Sequence, residues 1–328
     1  MSDKVVLGID GGGTYTRAAI TDMDGNLLSY VEWKGGAFIY KDSNAKENVF
    51  NAVHVAVKKA NCELNNIVSV VAGVAGYDNE SDLEWVRELT NIDGLKCASQ
   101  HVNDAVIAHK GALISKPGII AISGTGSVIY GITDTEKHIR NYDFHYYADT
   151  AARCLSYNSV HKIIAGETDQ TDNEFVNKVY KYFSVNDLSD LVKFGSEGFI
   201  HDYKQRDKLF GDMASIVTDA ALEGSHLAIN ICSQAASELV TGIRLIGANF
   251  KADTIPVALI GSVANSRFIK NTIHNTLSQK NNKKYLMKEP VLPAVLGAII
   301  LALQLNKIDI NKQILNNLIK STEIITNQ

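Results

Sequence analysis

Residues 5–21 of the chain read VVLGIDGGGTYTRAAIT. The apolar run at residues 5–9 predicts a buried strand, and residues 16–21 predict a second strand. The glycine-rich stretch between them is far too short for a crossover helix, so we expect the two strands to pair as an antiparallel hairpin. A third strand is predicted at residues 27–33, after a short turn. The chain therefore begins with an antiparallel meander.

This meander decides between classes of nucleotide-binding fold. Rossmann and Walker loops run from a strand into a helix, whereas this glycine loop runs into a strand. Glycine N–H groups approach phosphate oxygens closely because no Cβ intervenes, and a neighbouring carboxylate suits a hard cation such as Mg²⁺. We predict that the loop binds polyphosphate through Gly11, Gly12, Gly13 and Thr14, and that Asp10 holds Mg²⁺. A glycine turn without a ligand is the alternative interpretation.

The same pattern recurs more than a hundred residues later. Residues 118–123 and 128–133 predict two strands, and a tight glycine turn joins them. This turn is a second candidate phosphate loop, formed by Gly124, Thr125, Gly126 and Ser127. Two hairpins of this kind indicate two related subdomains.

The domain boundary is predicted near Lys116-Pro117, where a proline and a change in composition indicate a linker. A chain of 328 residues has the length of about two domains. We predict an N-terminal lobe at residues 1–116 and a C-terminal lobe at residues 117–328. The last helix is a candidate to pack back onto the N-terminal lobe.

Two further segments have the chemistry of a binding site. A helix is predicted at residues 104–113, and the carboxylate of Asp104 at its start is either a helix cap or a general base. Gly261 and Ser262 follow a predicted buried strand and are candidate contacts to a nucleotide. By itself this second signal is weak, because glycines are common where a strand leads into a helix.

Composition excludes several classes of partner. A net charge of −4 offers no basic surface to a nucleic acid backbone. No apolar run reaches the length of about 18 residues that a membrane span needs. Residues 1–4 lack the features of a signal peptide, which predicts a cytoplasmic protein. The four cysteines lie far apart, so no pair has the spacing of a zinc or iron–sulfur site.

A series of segments, in the right order, resembles the motifs of the BadF/BadG/BcrA/BcrD ATPase family, which includes the N-acetylglucosamine kinases. The segments are residues 8–14, 72–76, 103–105, 122–127 and 259–263, followed by Glu289-Pro290 and Gly297-Ala298. The resemblance covers nearly the whole chain, from residue 5 to residue 303. It implies an α/β fold of the actin/hexokinase/Hsp70 type, which is ribonuclease H-like, with two lobes around a central cleft.

The resemblance also implies an activity and a set of residues. It implies a homodimeric sugar kinase that uses ATP and Mg²⁺ on a small-molecule sugar, with Asp104 as the catalytic base. Sugar contacts are implied at Gly36, Gly76, Asn103, Asp104, Thr125 and Asp149. Kinases of this family usually carry Gly-Asp-Glu-Gly-Ser after the second phosphate motif, where this chain has Ala148-Asp149-Thr150-Ala151-Ala152. They also usually have an asparagine after the third strand, where residues 35–39 offer none.

Three functions follow from these observations. The first is a kinase that phosphorylates the 6-hydroxyl of an N-acetylated amino sugar, either N-acetylglucosamine or N-acetylmuramic acid. The second is a regulator that senses a nucleotide or a sugar without turnover, which the altered residues 148–152 motivate. The third is an ATPase that activates a dehydratase through an iron–sulfur cluster, for which Cys154 is the one cysteine that can be proposed.

Overall fold

A computed structural model describes residues 4–279 and 282–326. Residues 1–3, on which the cytoplasmic prediction partly rests, lie outside this description. The strands are β1 (Val5–Gly11), β2 (Tyr15–Asp22), β3 (Leu27–Lys34), β4 (Ile67–Val74), β5 (Ala98–Asn103), β6 (Gly118–Ser123), β7 (Ser127–Ile132), β8 (His138–Arg140), β9 (Thr254–Ile260) and β10 (Lys284–Lys288). The α-helices are α1 (Ala45–Lys59), α2 (Leu83–Leu89), α3 (Asp104–Leu113), α4 (Ala152–Ile164), α5 (Asn173–Phe183), α6 (Leu188–Ser196), α7 (Tyr203–Glu223), α8 (His226–Gly247), α9 (Arg267–Ser278), α10 (Ala294–Leu305) and α11 (Lys312–Thr326).

The chain divides into two compact units. Unit 1 comprises residues 1–116 and 289–328, and unit 2 comprises residues 117–288. The break after Lys116 lies where the linker was expected. Residues 289–328, which the sequence analysis assigned to the C-terminal lobe, belong to unit 1 together with both of their helices. The physical reason is that the apolar side chains of α10 pack against β1, β2 and β4.

The sheet of unit 1 has the strand order β3-β2-β1-β4-β5. Strands β1, β2 and β3 form the predicted antiparallel meander, with Asp10 opposite Arg17 in the hairpin register. Strands β4 and β5 then add in parallel to β1. Since the carboxyl ends of parallel strands lie at one edge of a sheet, β1, β4 and β5 all end where loops can form a site.

Both faces of this sheet are covered by helices. Along β1, Leu7 and Ile9 pack into the cluster that contains α1, whereas Val6 packs into the cluster that contains α10. A strand that is buried on both faces is apolar without alternation, which explains the run at residues 5–9. Helix α10 is short but almost entirely buried, as expected for a helix that is apolar on all sides.

The sheet of unit 2 has the strand order β10-β9-β6-β7-β8. Strands β6, β7 and β8 are antiparallel neighbours, while β9 and β10 add in parallel to β6. This arrangement repeats that of unit 1, so the prediction of two related subdomains is confirmed. Helices α4, α7 and α8 contribute much of the core around this sheet. Among the described residues, no helix has the length and apolarity that a membrane span requires.

Candidate active site

The first glycine loop joins β1 to β2. Gly13 and Thr14 are exposed at its tip, and the carbonyl of Thr14 accepts from the N–H of Gly35 at 3.1 Å. The chain after β3 packs against the other side of the loop, since the N–H of Ala37 donates to the carbonyl of Gly12 at 3.0 Å. A Cβ on Gly36 would lie 2.6 Å from the carbonyl oxygen of Gly13. Glycine at position 36 is therefore what allows the two loops to touch.

Two carboxylates lie at the carboxyl edge of the unit 1 sheet. Asp10 is near the end of β1, and Asp104 is the first residue of α3, directly after β5. The parallel register from β1 through β4 to β5 brings these ends to the same edge. Burial is the main cause that raises the pKa of Asp104 to about 7, and the negative charge of Asp10 is the second. Asp104 therefore changes protonation close to neutral pH.

Asp10 is buried and pairs with Arg17, whose Nη1 lies 3.3 Å from its Oδ2. Burial raises the pKa of Asp10, although the charge of Arg17 acts in the opposite direction. Asp10 is buried and Asp104 is partly buried, so burial disfavours the charged form of each carboxyl group, and a nearby cation would stabilise both carboxylates. Within residues 4–279 and 282–326, no group of three His, Cys, Asp or Glu side chains is placed to hold a metal ion. A carboxylate such as that of Asp10 is the kind of ligand that Mg²⁺ uses, one or two at a time, together with phosphate and water oxygens.

The loop after β4 connects the glycine loop to Asp104. The N–H of Ala75 donates to the carbonyl of Gly11 at 2.9 Å. The side chain of Asn103 donates to the carbonyl of Tyr77 at 3.0 Å and to Asp78 at 3.3 Å. Its own Oδ1 accepts from the N–H of Ala105 at 2.9 Å and so caps α3. In this arrangement Asn103 fixes the position of the helix that begins with Asp104.

The second glycine loop joins β6 to β7 in unit 2. The N–H of Gly124 donates to the carbonyl of Gly126 at 2.9 Å, which makes a tight turn. The carbonyl of Ser123 accepts from the N–H groups of Val263 and Ala264, both at 3.1 Å. Gly261 has a φ of +94°, and a Cβ there would lie 2.3 Å from the carbonyl oxygen of Ser123. The segment at Gly261 and the second glycine loop thus form one connected surface.

Residues 148–152, which depart from the family pattern, pack against this same loop. Ser127 Oγ donates to the carbonyl of Ala148 at 2.6 Å, and Ser123 Oγ donates to the carbonyl of Thr150 at 2.5 Å. The N–H of Ala152 donates to the carbonyl of Gly124 at 2.7 Å. The hydroxyl proton of Ser127 is therefore engaged within the protein, and Asp149 is left as the exposed carboxylate of the stretch.

The sequence of the chain matches a known protein family over most of its length. The family model described as BadF/BadG/BcrA/BcrD ATPase family matches residues 7–302. The chain belongs to this ATPase family. A Clostridium acetobutylicum protein named N-acetylmuramic acid/N-acetylglucosamine kinase is 27% identical over 252 residues, which cover 74% of this chain and 79% of that protein.

Solved structures show the fold of this BadF/BadG-type ATPase. A candidate N-acetylglucosamine kinase from Chromobacterium violaceum aligns with a TM-score of 0.72 at 17% identity, over 92% of this chain and 100% of that chain. A ROK family glucokinase from Streptomyces griseus, in complex with glucose and AMPPNP, aligns with a TM-score of 0.59 at 16% identity, over 92% and 99% of the two chains. The predicted α/β ATPase fold of the actin/hexokinase type is confirmed.

In this family member, each unit gathers its own predicted residues. Unit 1 holds Asp10, Gly11, Gly12, Gly13, Thr14, Gly36, Gly76, Asn103 and Asp104. Unit 2 holds Gly124, Thr125, Gly126, Ser127, Asp149, Gly261 and Ser262. Their assignment to phosphate, nucleoside, metal and sugar stays a prediction.

Sequence reasoning missed several supporting residues of the ATPase. Arg17 pairs with Asp10. The predicted hairpin could have revealed this pair, because the residue opposite Asp10 must lie on the second strand. Asn48 on α1 donates to the carbonyl of Gly36 at 2.9 Å and so holds the loop after β3. Arg153 on α4 donates to the carbonyl of Thr125 at 3.2 Å. No sequence signal pointed to the last two, because both contacts depend on tertiary packing.

Proposed function

We propose that the protein is a kinase that transfers the γ-phosphoryl group of ATP to the 6-hydroxyl of an N-acetylated amino sugar, N-acetylglucosamine or N-acetylmuramic acid. The observation that carries this proposal is the position of Asp104 at the start of α3, at the same edge of the sheet as Asp10 and the first glycine loop, where burial raises the pKa of its carboxyl group to about 7. A general base works best when its pKa is close to the pH of operation. The name of the Clostridium acetobutylicum relative supports an amino sugar as the acceptor.

Each predicted residue has one part in the proposed chemistry. Asp104 orients the acceptor hydroxyl and takes its proton as the oxygen bonds to phosphorus and ADP leaves. Asp10 would hold Mg²⁺, which neutralises charge on the phosphate oxygens when it is bound. N–H groups of the two glycine loops donate to those oxygens, and Gly261 with Ser262 contacts the nucleoside. On the acceptor side, the proposed sugar contacts besides Asp104 are Gly36, Gly76, Asn103, Thr125 and Asp149.

The direct test is release of ADP from Mg²⁺-ATP with a panel of sugars. The panel contains N-acetylglucosamine, N-acetylmuramic acid, N-acetylmannosamine, glucosamine and glucose, with a reaction that lacks sugar as control. Stimulation by an N-acetylated amino sugar is expected, and NMR of the product locates the phosphate on O6. No stimulation by any sugar, despite measurable ATP binding, would favour a regulator instead. Iron in the purified protein would favour the dehydratase activator.

The pH dependence of the reaction follows from Asp104. The carboxylate is the active form of a base, so kcat/KM is expected to be constant well above pH 7 and to fall below it. With a pKa of about 7, the fraction of Asp104 that is ionised falls about tenfold for each further pH unit below this value. The measurement is kcat/KM for the sugar from pH 5 to pH 9 at saturating ATP. A profile that stays flat down to pH 5.5 would contradict the assignment of Asp104 as the base.

The tip glycine of the second loop offers a test of phosphate binding without a folding defect. A Cβ on Gly126 would have no atom within 4 Å, so Gly126→Ala is expected to leave the melting temperature unchanged. The same methyl group would hinder close approach of a phosphate, and we expect the KM for ATP to rise about tenfold, as for the loss of one charge-assisted hydrogen bond. Gly211→Ala is the matched control, since Gly211 on α7 has equally open surroundings. An unchanged KM in Gly126→Ala would argue against a phosphate loop here.

A further inference from the structure

Three aromatic side chains of unit 1 form a cluster that the predicted site does not explain. Phe38 and Tyr40 lie in the loop after β3, and Trp85 lies on α2. The ring centroid of Phe38 is 5.6 Å from that of Tyr40 and 6.0 Å from that of Trp85, and Tyr40 and Trp85 are 6.1 Å apart. Tyr40 is 67% exposed. We call these three residues the aromatic trio.

The aromatic trio is continuous with the predicted acceptor residues. A Cβ on Gly76 would lie 2.4 Å from Cε2 of Phe38, so the Phe38 ring rests directly on this glycine. The next residue, Tyr77, accepts through its carbonyl from the side chain of Asn103. Asn103 in turn caps the helix that begins with Asp104. The trio and the proposed base are thus fixed to the same loop.

The loop after Gly76 also holds the trio in place. Trp85 donates from Nε1 to Oδ1 of Asp82 at 3.3 Å, and Oδ2 of Asp82 accepts from the N–H groups of Asp78 and Asn79. The indole ring is therefore oriented by the loop that binds Asn103. A surface of fixed, partly exposed rings can bind a flat apolar face without a large loss of side-chain freedom.

The charge around the trio limits the class of ligand. The segment between Gly76 and Trp85 carries four acidic residues, Asp78, Glu80, Asp82 and Glu84, and Asp82 contacts Trp85 directly. Lys41 is the nearby cation that contacts the trio, with Nζ 5.8 Å from the ring centroid of Phe38. An anionic ligand would be repelled by the carboxylates, whereas an uncharged sugar can place its C–H face on the rings and its hydroxyls toward the carboxylates.

We propose that the aromatic trio is a second sugar subsite, which holds an uncharged pyranose ring linked to the amino sugar that is phosphorylated. The acceptor class is then a neutral disaccharide of N-acetylated amino sugars, bound more tightly than the monosaccharide. This inference rests on the proposed kinase function for the role of the first ring. Ring stacking would then take the place of the asparagine contact, because Phe38 lies within residues 35–39, where the family usually has that asparagine.

Tryptophan fluorescence tests the subsite without turnover. The chain contains two tryptophans, so Trp33→Phe leaves Trp85 as the single reporter. Titration with di-N-acetylchitobiose and with N-acetylglucosamine, without ATP, is expected to change the emission of Trp85, with the disaccharide binding about tenfold more tightly. Tyr40→Ala in this background is expected to remove that difference and to leave monosaccharide binding within about twofold. Tyr203→Ala, at an exposed tyrosine of unit 2, is the matched control.

Kinetics separate the subsite from the kinase function. If both hold, the KM for the disaccharide is lower than that for the monosaccharide, and Tyr40→Ala raises only the disaccharide KM. Phosphorylation of both sugars with equal KM values, unaffected by Tyr40→Ala, would overturn the subsite and leave the kinase standing. Emission changes without phosphorylation of any sugar would overturn the kinase and with it the assignment of an acceptor. No emission change with either sugar would overturn the subsite.

Discussion

Replacing Asp104 with asparagine is expected to lower kcat by roughly two to four orders of magnitude, the usual contribution of a general base. Asparagine keeps the size and the shape of the carboxyl group but cannot accept the proton of the acceptor hydroxyl. The measurement is sugar-dependent ADP release at saturating ATP and sugar. Nucleotide affinity is expected to remain within about threefold, because the glycine loops are unchanged.

The same variant reports whether the loss is chemical or structural. The pKa of Asp104 is raised in the folded protein. Between about pH 4 and pH 7 this carboxyl group is therefore protonated in the folded protein but ionised in the unfolded chain. The free energy of unfolding falls as the pH rises through this range. Asparagine removes this effect, so Asp104→Asn is expected to be more stable than the wild type at pH 8, by about 1–2 kcal/mol after allowance for the partial exposure of the side chain. At pH 4 the two proteins are expected to melt alike.

Two results would count against this account. Activity of Asp104→Asn close to that of the wild type would remove Asp104 as the base and with it the main support for the kinase. A lower melting temperature at pH 8 would mean that the carboxylate stabilises the start of α3 more than its burial costs. In that case the loss of activity alone would no longer identify a chemical role.

Replacing Gly297 with alanine is expected to be the most damaging single-methyl change to stability. A Cβ at this position of α10 would lie 1.9 Å from the carbonyl oxygen of Ile107 on α3. Gly111 of α3 also lies close to the residue before α10, with a Cβ position 2.8 Å from the carbonyl oxygen of Pro293. The clash is with the backbone, so neither helix can relieve it by a change of rotamer. We expect a loss of about 3 kcal/mol or more, at the upper end of overpacking.

The effect is expected to reach the candidate site, because α3 begins with Asp104. A displaced α3 would move the proposed base, so kcat is expected to fall together with the melting temperature, which should drop by about 8 °C or more. Gly211→Ala serves as the control, since α7 is open around this glycine and alanine favours a helix by about 0.5–1 kcal/mol. A change below 2 °C in Gly297→Ala would show that α3 and α10 can separate at little cost.

Much of unit 1 could be predicted from local pattern. The apolar run of β1, the short glycine loop and the next strand together require an antiparallel hairpin, and the structure has strands at Val5–Gly11 and Tyr15–Asp22. The repeat of this hairpin at Gly124 predicted the matching topology of unit 2. These predictions succeed because the spacing of apolar residues, the length of a loop and its glycine content are all properties of short segments.

The hydrogen-bond partners of individual residues could not be predicted in this way, because those partners are distant in sequence. Ser127 was assigned to the second phosphate loop, and only the structure showed that its hydroxyl donates to the carbonyl of Ala148. Asn103 stays a predicted sugar contact, and only the structure showed that its amide binds Tyr77 and Asp78 and caps α3. Gly36 was expected to contact sugar, which stays a prediction, and the structure shows that its carbonyl accepts from the side chain of Asn48 at 2.9 Å.

The sequence by itself determined the class of fold, the two glycine loops and the identity of the carboxylates, since each depends on residue types at short spacing. Only the tertiary structure decided that residues 289–328 belong to unit 1, that Arg17 pairs with Asp10, and that the pKa of Asp104 rises to about 7. The reason is physical. Burial and the charges of neighbouring groups set a pKa, and both arise only when segments far apart in the chain pack together.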